Sequence, residues 1–225
     1  MIKERTSLIT SARVSDRMPQ VLFAGLLVLF PIAAMANLVS DYYLIVAIHI
    51  FVFSVAVFSY DLLFGYTGIL SFGHALFFGG GAYGIALLTT EAGLSYFTAF
   101  PIALLFVTAL AVVVGAVSLK VSGVYFSIVT LSFAQIGFQL VLKFREITGG
   151  QDGIGVGGEI PELMGIDFGD VYPAYLLALV AVFVIYTLVK RIVNSQFGRI
   201  LQGIKENEDR MQMLGINTYR YKLAS

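Results

Sequence analysis

The chain has 225 residues, yet only 12% of them are charged and 58% are hydrophobic, whereas soluble domains carry about 25% charged residues. With a mean hydropathy of +0.88 this composition excludes a soluble enzyme, and the number of apolar stretches excludes a protein with a single anchor. Net charge is zero and there is no cysteine, so nothing points to nucleic acid, disulfides or thiolate metal sites.

Six windows without a charge, 18–40, 42–60, 62–90, 92–119, 121–142 and 171–189, each reach or approach the ~20 residues a helix needs to cross a bilayer. They predict an all-α, polytopic membrane bundle of about six complete transmembrane segments, with 1–20 as an N-terminal cytoplasmic segment and 21–193 as the membrane domain. The first window follows Lys3, Arg5, Arg13 and Arg17 and is too long for a signal core, so it reads as a membrane helix over 20–39 with Pro31 inside it. The second helix covers 42–60, and a turn is expected at Asp61. The third window, 62–90, holds seven glycines and is longer than one span needs, which predicts a glycine-broken or re-entrant segment. A fourth helix starts near Pro101, a fifth covers 123–142, and a sixth starts near Asp170 with Pro173 in its first turn.

With the N-terminus inside, 12 of the 14 Lys and Arg fall on the inner side, and only Lys143 and Arg145 fall outside. Basic loops stay cytoplasmic, which favours this threading over its reverse. The outer loop 143–170 is acidic and glycine-rich, and loops of that length are functional or disordered. Residues 194–220 are mixed-charge. Their apolar Phe197, Ile200, Leu201, Ile204 and Met211 form a helical stripe that Glu208 interrupts, so two short helices meeting near Gly203–Asn207 are expected. Residues 221–225 read as the start of a further membrane segment, as in a truncated chain.

Gly79-x-Gly81-x-x-Gly84 spells a dinucleotide-binding fingerprint, but it lies inside a span with no strand before it. Gly80-x-x-x-Gly84 instead predicts a helix-packing notch. His49 and His74 are intramembrane. His74 either lines a pathway or is a neutral histidine bonded to a neighbouring helix, and for His49 the second reading leads. Two histidines without carboxylates predict no metal site. Tyr125, Ser132, Gln135 and Gln139 fall on one helix face, which either packs against another helix or lines a substrate passage.

Several blocks in fixed order carry a resemblance: Phe64-Gly65-Tyr66-Thr67-Gly68-Ile69-Leu70-Ser71-Phe72-Gly73-His74-Ala75, then Gly123-Val124-Tyr125-Phe126 with Ala134-Gln135, then Thr148-Gly149-Gly150-Gln151-Asp152-Gly153, and finally Ser195-x-Phe197-Gly198-Arg199 followed by Glu206-Asn207-Glu208 and Leu214-Gly215. Across 60–225 the chain resembles branched-chain amino-acid ABC transporter permeases of the LivM type. The resemblance implies a permease subunit that pairs with a LivH-like second permease, two cytoplasmic ATPases and an external substrate-binding protein. ATP would be bound by the partners, and the chain itself would be neither an enzyme nor a cofactor protein. The outside position and glycine turns of 148–153 predict at Thr148, Gly149, Gly150, Asp152 and Gly153 a contact for the binding protein or an external gate, a solvated linker being the alternative. The resemblance further implies ATPase coupling through Phe197, Gly198, Arg199, Glu206, Asn207, Glu208, Asp209 and Gly215. The E-A-A-x-x-x-G element of ABC permeases reads Asp209-Arg210-Met211-x-x-x-Gly215 here, keeping the acid and the glycine but not the alanines. Urea and short-amide permeases share these motifs, and an ATP-independent channel is the alternative from another class.

Overall fold

The computed structural model describes residues 30–31, 40–155, 162–163, 166–167 and 169–225. The predicted N-terminal segment 1–20 lies outside them, as does the first predicted span apart from Phe30 and Pro31, which are helical.

Helix α1 (Asp41–Asp61) starts where Ser40 turns extended and its hydroxyl accepts from the Tyr42 amide at 3.4 Å. The chain does not turn at Asp61 as the charge pattern predicts. A lone carboxylate does not end a helix, and the helical path continues through a π turn at Leu62–Tyr66. It stops only at Thr67–Gly73, where Gly68 takes a φ of 77° that glycine adopts at no steric cost. The glycine break in the 62–90 window therefore falls between α1 and α2 (His74–Thr90). The remaining glycines of that window stay helical. Gly84 lets α2 approach α3 (Tyr96–Ser118) closely, since a Cβ there would sit 3.2 Å from that of Ala103, and Gly80 faces Val107. This is the helix-packing notch rather than a nucleotide turn.

Helix α3 begins five residues before Pro101, because extended Ser95 opens it and an early proline forfeits a single backbone donor. Helix α4 (Val124–Lys143) packs against α2, where a Cβ on Gly137 would collide with Leu76. A short helical turn, α5 (Arg145–Thr148), follows, and then a two-residue antiparallel ladder of β1 (Glu162–Leu163) and β2 (Ile166–Asp167), with Glu162 opposite Asp167. Helix α6 (Val171–Val193) follows Asp170 as predicted. It returns against α1 around Leu44, Phe51 and Tyr175, with the Phe51 and Tyr175 rings 5.3 Å apart. At one end of this pair the Tyr172 hydroxyl donates to Asp41 at 3.0 Å. Three short helices close the chain: α7 (Gln196–Glu206), α8 (Glu208–Met213) and α9 (Thr218–Ala224).

Four stretches among the described residues are long and apolar enough to cross a bilayer: Asp41–Tyr66, Tyr96–Ser118, Val124–Lys143 and Val171–Val193. Helix α2, with 17 residues, is slightly shorter. Most large apolar side chains point outward, Leu105 being 71% and Phe183 69% exposed. Water would not tolerate that surface, whereas lipid solvates it. The all-helical, multi-pass membrane architecture read from the sequence is thus the architecture of the chain.

Candidate functional site

The segment Thr67–Gly73 leaves helical geometry close to the spans, so its peptide groups need partners. Helix α4 supplies two of them from its first turns. Ser127 donates to the Leu70 carbonyl at 2.6 Å, and Thr130 accepts from the Phe72 amide at 3.1 Å. Both side chains are buried, as are Thr67 and Ser71. Thr67 donates back to Leu62, and Ser71 accepts from the Gly73 amide at 3.2 Å. Gly73 lies so close to α4 that a Cβ would stand 3.3 Å from Thr130.

The polar residues singled out from the sequence lie on the other side of α4. Tyr125, Ser132, Gln135 and Gln139 are all exposed, on the face opposite Phe126, Ser127 and Thr130. Ser132 donates to the Ile128 carbonyl of its own helix. An amide facing hydrocarbon is costly, so this stripe fits a neighbouring subunit or a wet passage better than lipid. His74 is not part of the stripe. Its Nε2 lies 3.3 Å from the Ser59 hydroxyl, its ring stands edge-on to Tyr60, and Nδ1 is buried without a partner among the described residues. His49 hydrogen-bonds the Ile45 carbonyl of its own helix rather than a neighbouring one.

At the far end of α4 the Thr148–Gly153 loop is a folded turn. The Thr148 hydroxyl donates to the Val141 carbonyl at 2.6 Å and accepts from the Gly150 amide. Gly149, Gly150 and Gly153 all have positive φ, and a Cβ on Gly149 would strike the Gly153 carbonyl. Arg145 pairs with Asp152 at 3.1 Å, with both side chains well exposed.

The candidates for partner coupling, in 194–220, lie at the opposite end. Ser195 caps α7, and Gly198 passes so close to Val193 that no side chain fits. Asn207 is extended and caps α8, placing the junction of two helices at the residue range expected from the sequence. Gly215 has a φ of 81° just beyond α8, as a left-handed helix end requires. The apolar stripe is not free for a partner. Leu201 and Ile204 are buried within this chain, and the Phe197 ring lies 5.6 Å from that of Tyr221 on α9. Glu208 is likewise engaged internally, with Lys222 and with Thr218 at 3.0 Å. Burial works against its charge, but the hydrogen bonds from Lys222 and Thr218, with the Lys222 charge, outweigh it and hold its pKa below the ordinary glutamate value. Arg199, Glu206, Asn207, Asp209 and Gly215 remain outward, with Met213 at 86% and Leu214 at 72% exposure.

Sequence reasoning missed Ser127, Thr130, Lys205 and Lys222. The two hydroxyls, three residues apart in an apolar helix, carried a signal that the larger polar stripe obscured. Lys205 donates to the Gly65 carbonyl at 2.6 Å, a pairing across 140 residues that no local pattern reveals. A cleft of about 450 Å³ opens where these parts meet, between Gly68, Val121, Phe126, Lys205 and Lys222.

The arrangement is a multi-pass helical bundle with a broken segment against the first turns of α4, an exposed polar face on that helix and a folded turn at its far end. Over residues 42–225 the chain matches the family described as branched-chain amino acid transport system / permease component, and it belongs to that family. That family comprises membrane components of transport systems, not enzymes. It is 31% identical over 190 residues to the high-affinity branched-chain amino acid transport system permease protein LivM of Escherichia coli (strain K12), covering 73% of this chain and 44% of that protein. The LivM protein of Salmonella typhimurium is 30% identical over the same shares. A probable branched-chain amino acid transport permease protein LivM of Methanocaldococcus jannaschii is 24% identical over 55% of this chain and 36% of that protein. The chain thus spans less than half the length of these curated relatives. No solved structure matches it significantly.

Proposed function

We propose that the chain is a permease subunit of an ATP-binding-cassette importer that admits branched-chain or related hydrophobic amino acids. The observation that carries this reading is the family match across 42–225, which takes in every element from α1 to α9. Two cytoplasmic ATPases drive the transporter, a LivH-like permease completes the membrane unit, and an external binding protein delivers substrate. The basic asymmetry supports an N-terminus in the cytoplasm, with α7–α9 on the same side.

Within that assembly, the exposed face of α4 borders the passage through Tyr125, Ser132, Gln135 and Gln139, and His74, at the broken segment on the other side of α4, is a separate pathway candidate. Thr148–Gly153 forms the outer contact for the binding protein. Because Leu201, Ile204 and Glu208 are spent inside the chain, the ATPase contact centres on Glu206–Gly215, with Met213 and Leu214 entering an apolar groove and Glu206 and Asp209 meeting basic groups at its rim. Phe197 and Gly198 shape this unit from within, and exposed Asn207 caps α8.

The test is purification of the complete transporter followed by reconstitution with radiolabelled leucine. ATP-dependent, binding-protein-dependent uptake is expected. Replacing Met213 and Leu214 with aspartate removes the ATPases from the purified complex without disturbing membrane insertion. Leucine flux without ATP would instead identify a channel, and uptake of urea in place of leucine would identify an amide permease.

A further inference from the structure

Between the cytoplasmic α7 and the stripe-bearing α4 there is a continuous chain of fixed contacts. The Lys205 ammonium donates at 2.6 Å to the Gly65 carbonyl, in the π turn that ends α1. That is where a helix leaves carbonyls unpaired and where its dipole favours a cation. The Lys205 stem lies across Gly68, whose Cβ, if present, would stand 2.8 Å from Lys205 Cγ. From there the chain is tied down at several points. Thr67 donates to Leu62, the Ile69 amide donates to Leu63 at 3.1 Å, and Ser71 holds the Gly73 amide. At its far side Leu70 and Phe72 are fastened to Ser127 and Thr130 of α4.

We propose that residues 62–73 act as a strut through which displacement of α7 reaches α4, and that Lys205 is the positioning residue that engages it. This rests on reading the chain as an ATP-driven permease subunit. A segment tied at Gly65, Ile69, Leu70, Phe72 and Gly73 is held at both of its ends, so pushing its Lys205 end moves its α4 end. Ser127 and Thr130 sit in the first turns of α4, and a force applied there swings the whole helix, because a helix moves as a stiff unit. The stripe at Gln135 and Gln139 lies on the opposite face and is carried with it. A π turn at the junction fits this role, since such turns recur at functional sites.

The assay is performed on the complete transporter, measuring leucine uptake and ATP hydrolysis in the same vesicles. Lys205→Met keeps the stem and removes the donor. It is expected to retain the ATPases and their hydrolysis while lowering leucine moved per ATP about tenfold, equivalent to about 1.4 kcal/mol and the scale of one hydrogen bond from a charged donor. Lys205→Arg restores the ratio, which a general folding defect would not permit. Ser127→Ala combined with Thr130→Val produces the same uncoupling from the other end, and adding Lys205→Met to that pair lowers the ratio little further, because all three act on one element. Gln202→Ala, on the exposed side of α7, leaves the ratio unchanged. An unaltered ratio in Lys205→Met overturns the strut, and loss of the ATPases from that variant overturns it too, by assigning Lys205 to docking. Failure of the wild-type chain to copurify with ATPases would instead refute the permease reading itself.

Discussion

One glycine, one carboxylate and one histidine show how much of this molecule is decided at single residues. A Cβ on Gly198 would run into the Val193 backbone, which cannot yield as a flexible side chain does. Gly198→Ala is therefore expected to destabilise the α6–α7 corner by about 2–4 kcal/mol, seen as faster proteolysis of 194–225 with the spans intact. Glu208 makes a prediction with a definite sign. Its pKa is depressed in the folded chain, so the α8–α9 clamp is at full strength above the ordinary glutamate value. The clamp weakens as pH falls through the Glu208 pKa. Amide protection factors of 206–225 should fall over that acidic range, and Glu208→Gln should abolish that pH dependence. His74→Leu should lower uptake severalfold while leaving the partner subunits bound, because its buried Nδ1 has no partner among the described residues. Normal uptake would make His74 a packing residue.

Helix pairs follow rules that single residues do not. The α1–α6 pair is held by large side chains around Tyr175, and the α2–α3 pair by close backbone approach at Gly84 and Ala103. Enlarging a small residue should matter only in the second pair. Gly84→Leu is expected to force α2 from α3 at a cost of about 1–3 kcal/mol, detected as lost disulfide cross-linking between cysteines placed at Gly80 and Val107. Helix α4 was half legible in advance. Its limits and its exposed polar face follow from spacing, but the pairing of Ser127 and Thr130 with a broken segment does not. The need for those hydroxyls arises only once 67–73 leaves helical geometry beside them. The turn expected at Asp61 failed for a related reason: a charge marks where a span can surface, while backbone geometry decides where the helix stops.

Across the whole chain, sidedness is the property with the clearest test. The turn at 148–153 and the α7–α9 unit lie at opposite ends of α4, whose 20 residues span about 30 Å, the thickness of a bilayer core. Cysteines at exposed Gln151 and Gln202 should react with impermeant thiol reagents from opposite sides of the membrane. Labelling of both from outside intact cells would refute the threading.

Composition and periodicity alone determined a helical, multi-pass membrane protein and placed Tyr125, Ser132, Gln135 and Gln139 on one face of α4. These follow from local cost, since each charge or amide in lipid is penalised wherever the chain folds. The tertiary structure alone decided which polar groups were already spent. The apolar stripe of α7 turns inward, Glu208 is satisfied by Lys222, and Lys205 reaches Gly65, leaving Met213 and Leu214 as the free apolar surface. Pairings of that kind depend on segments far apart in sequence meeting at one end of the bundle, and no local pattern encodes the distance between them.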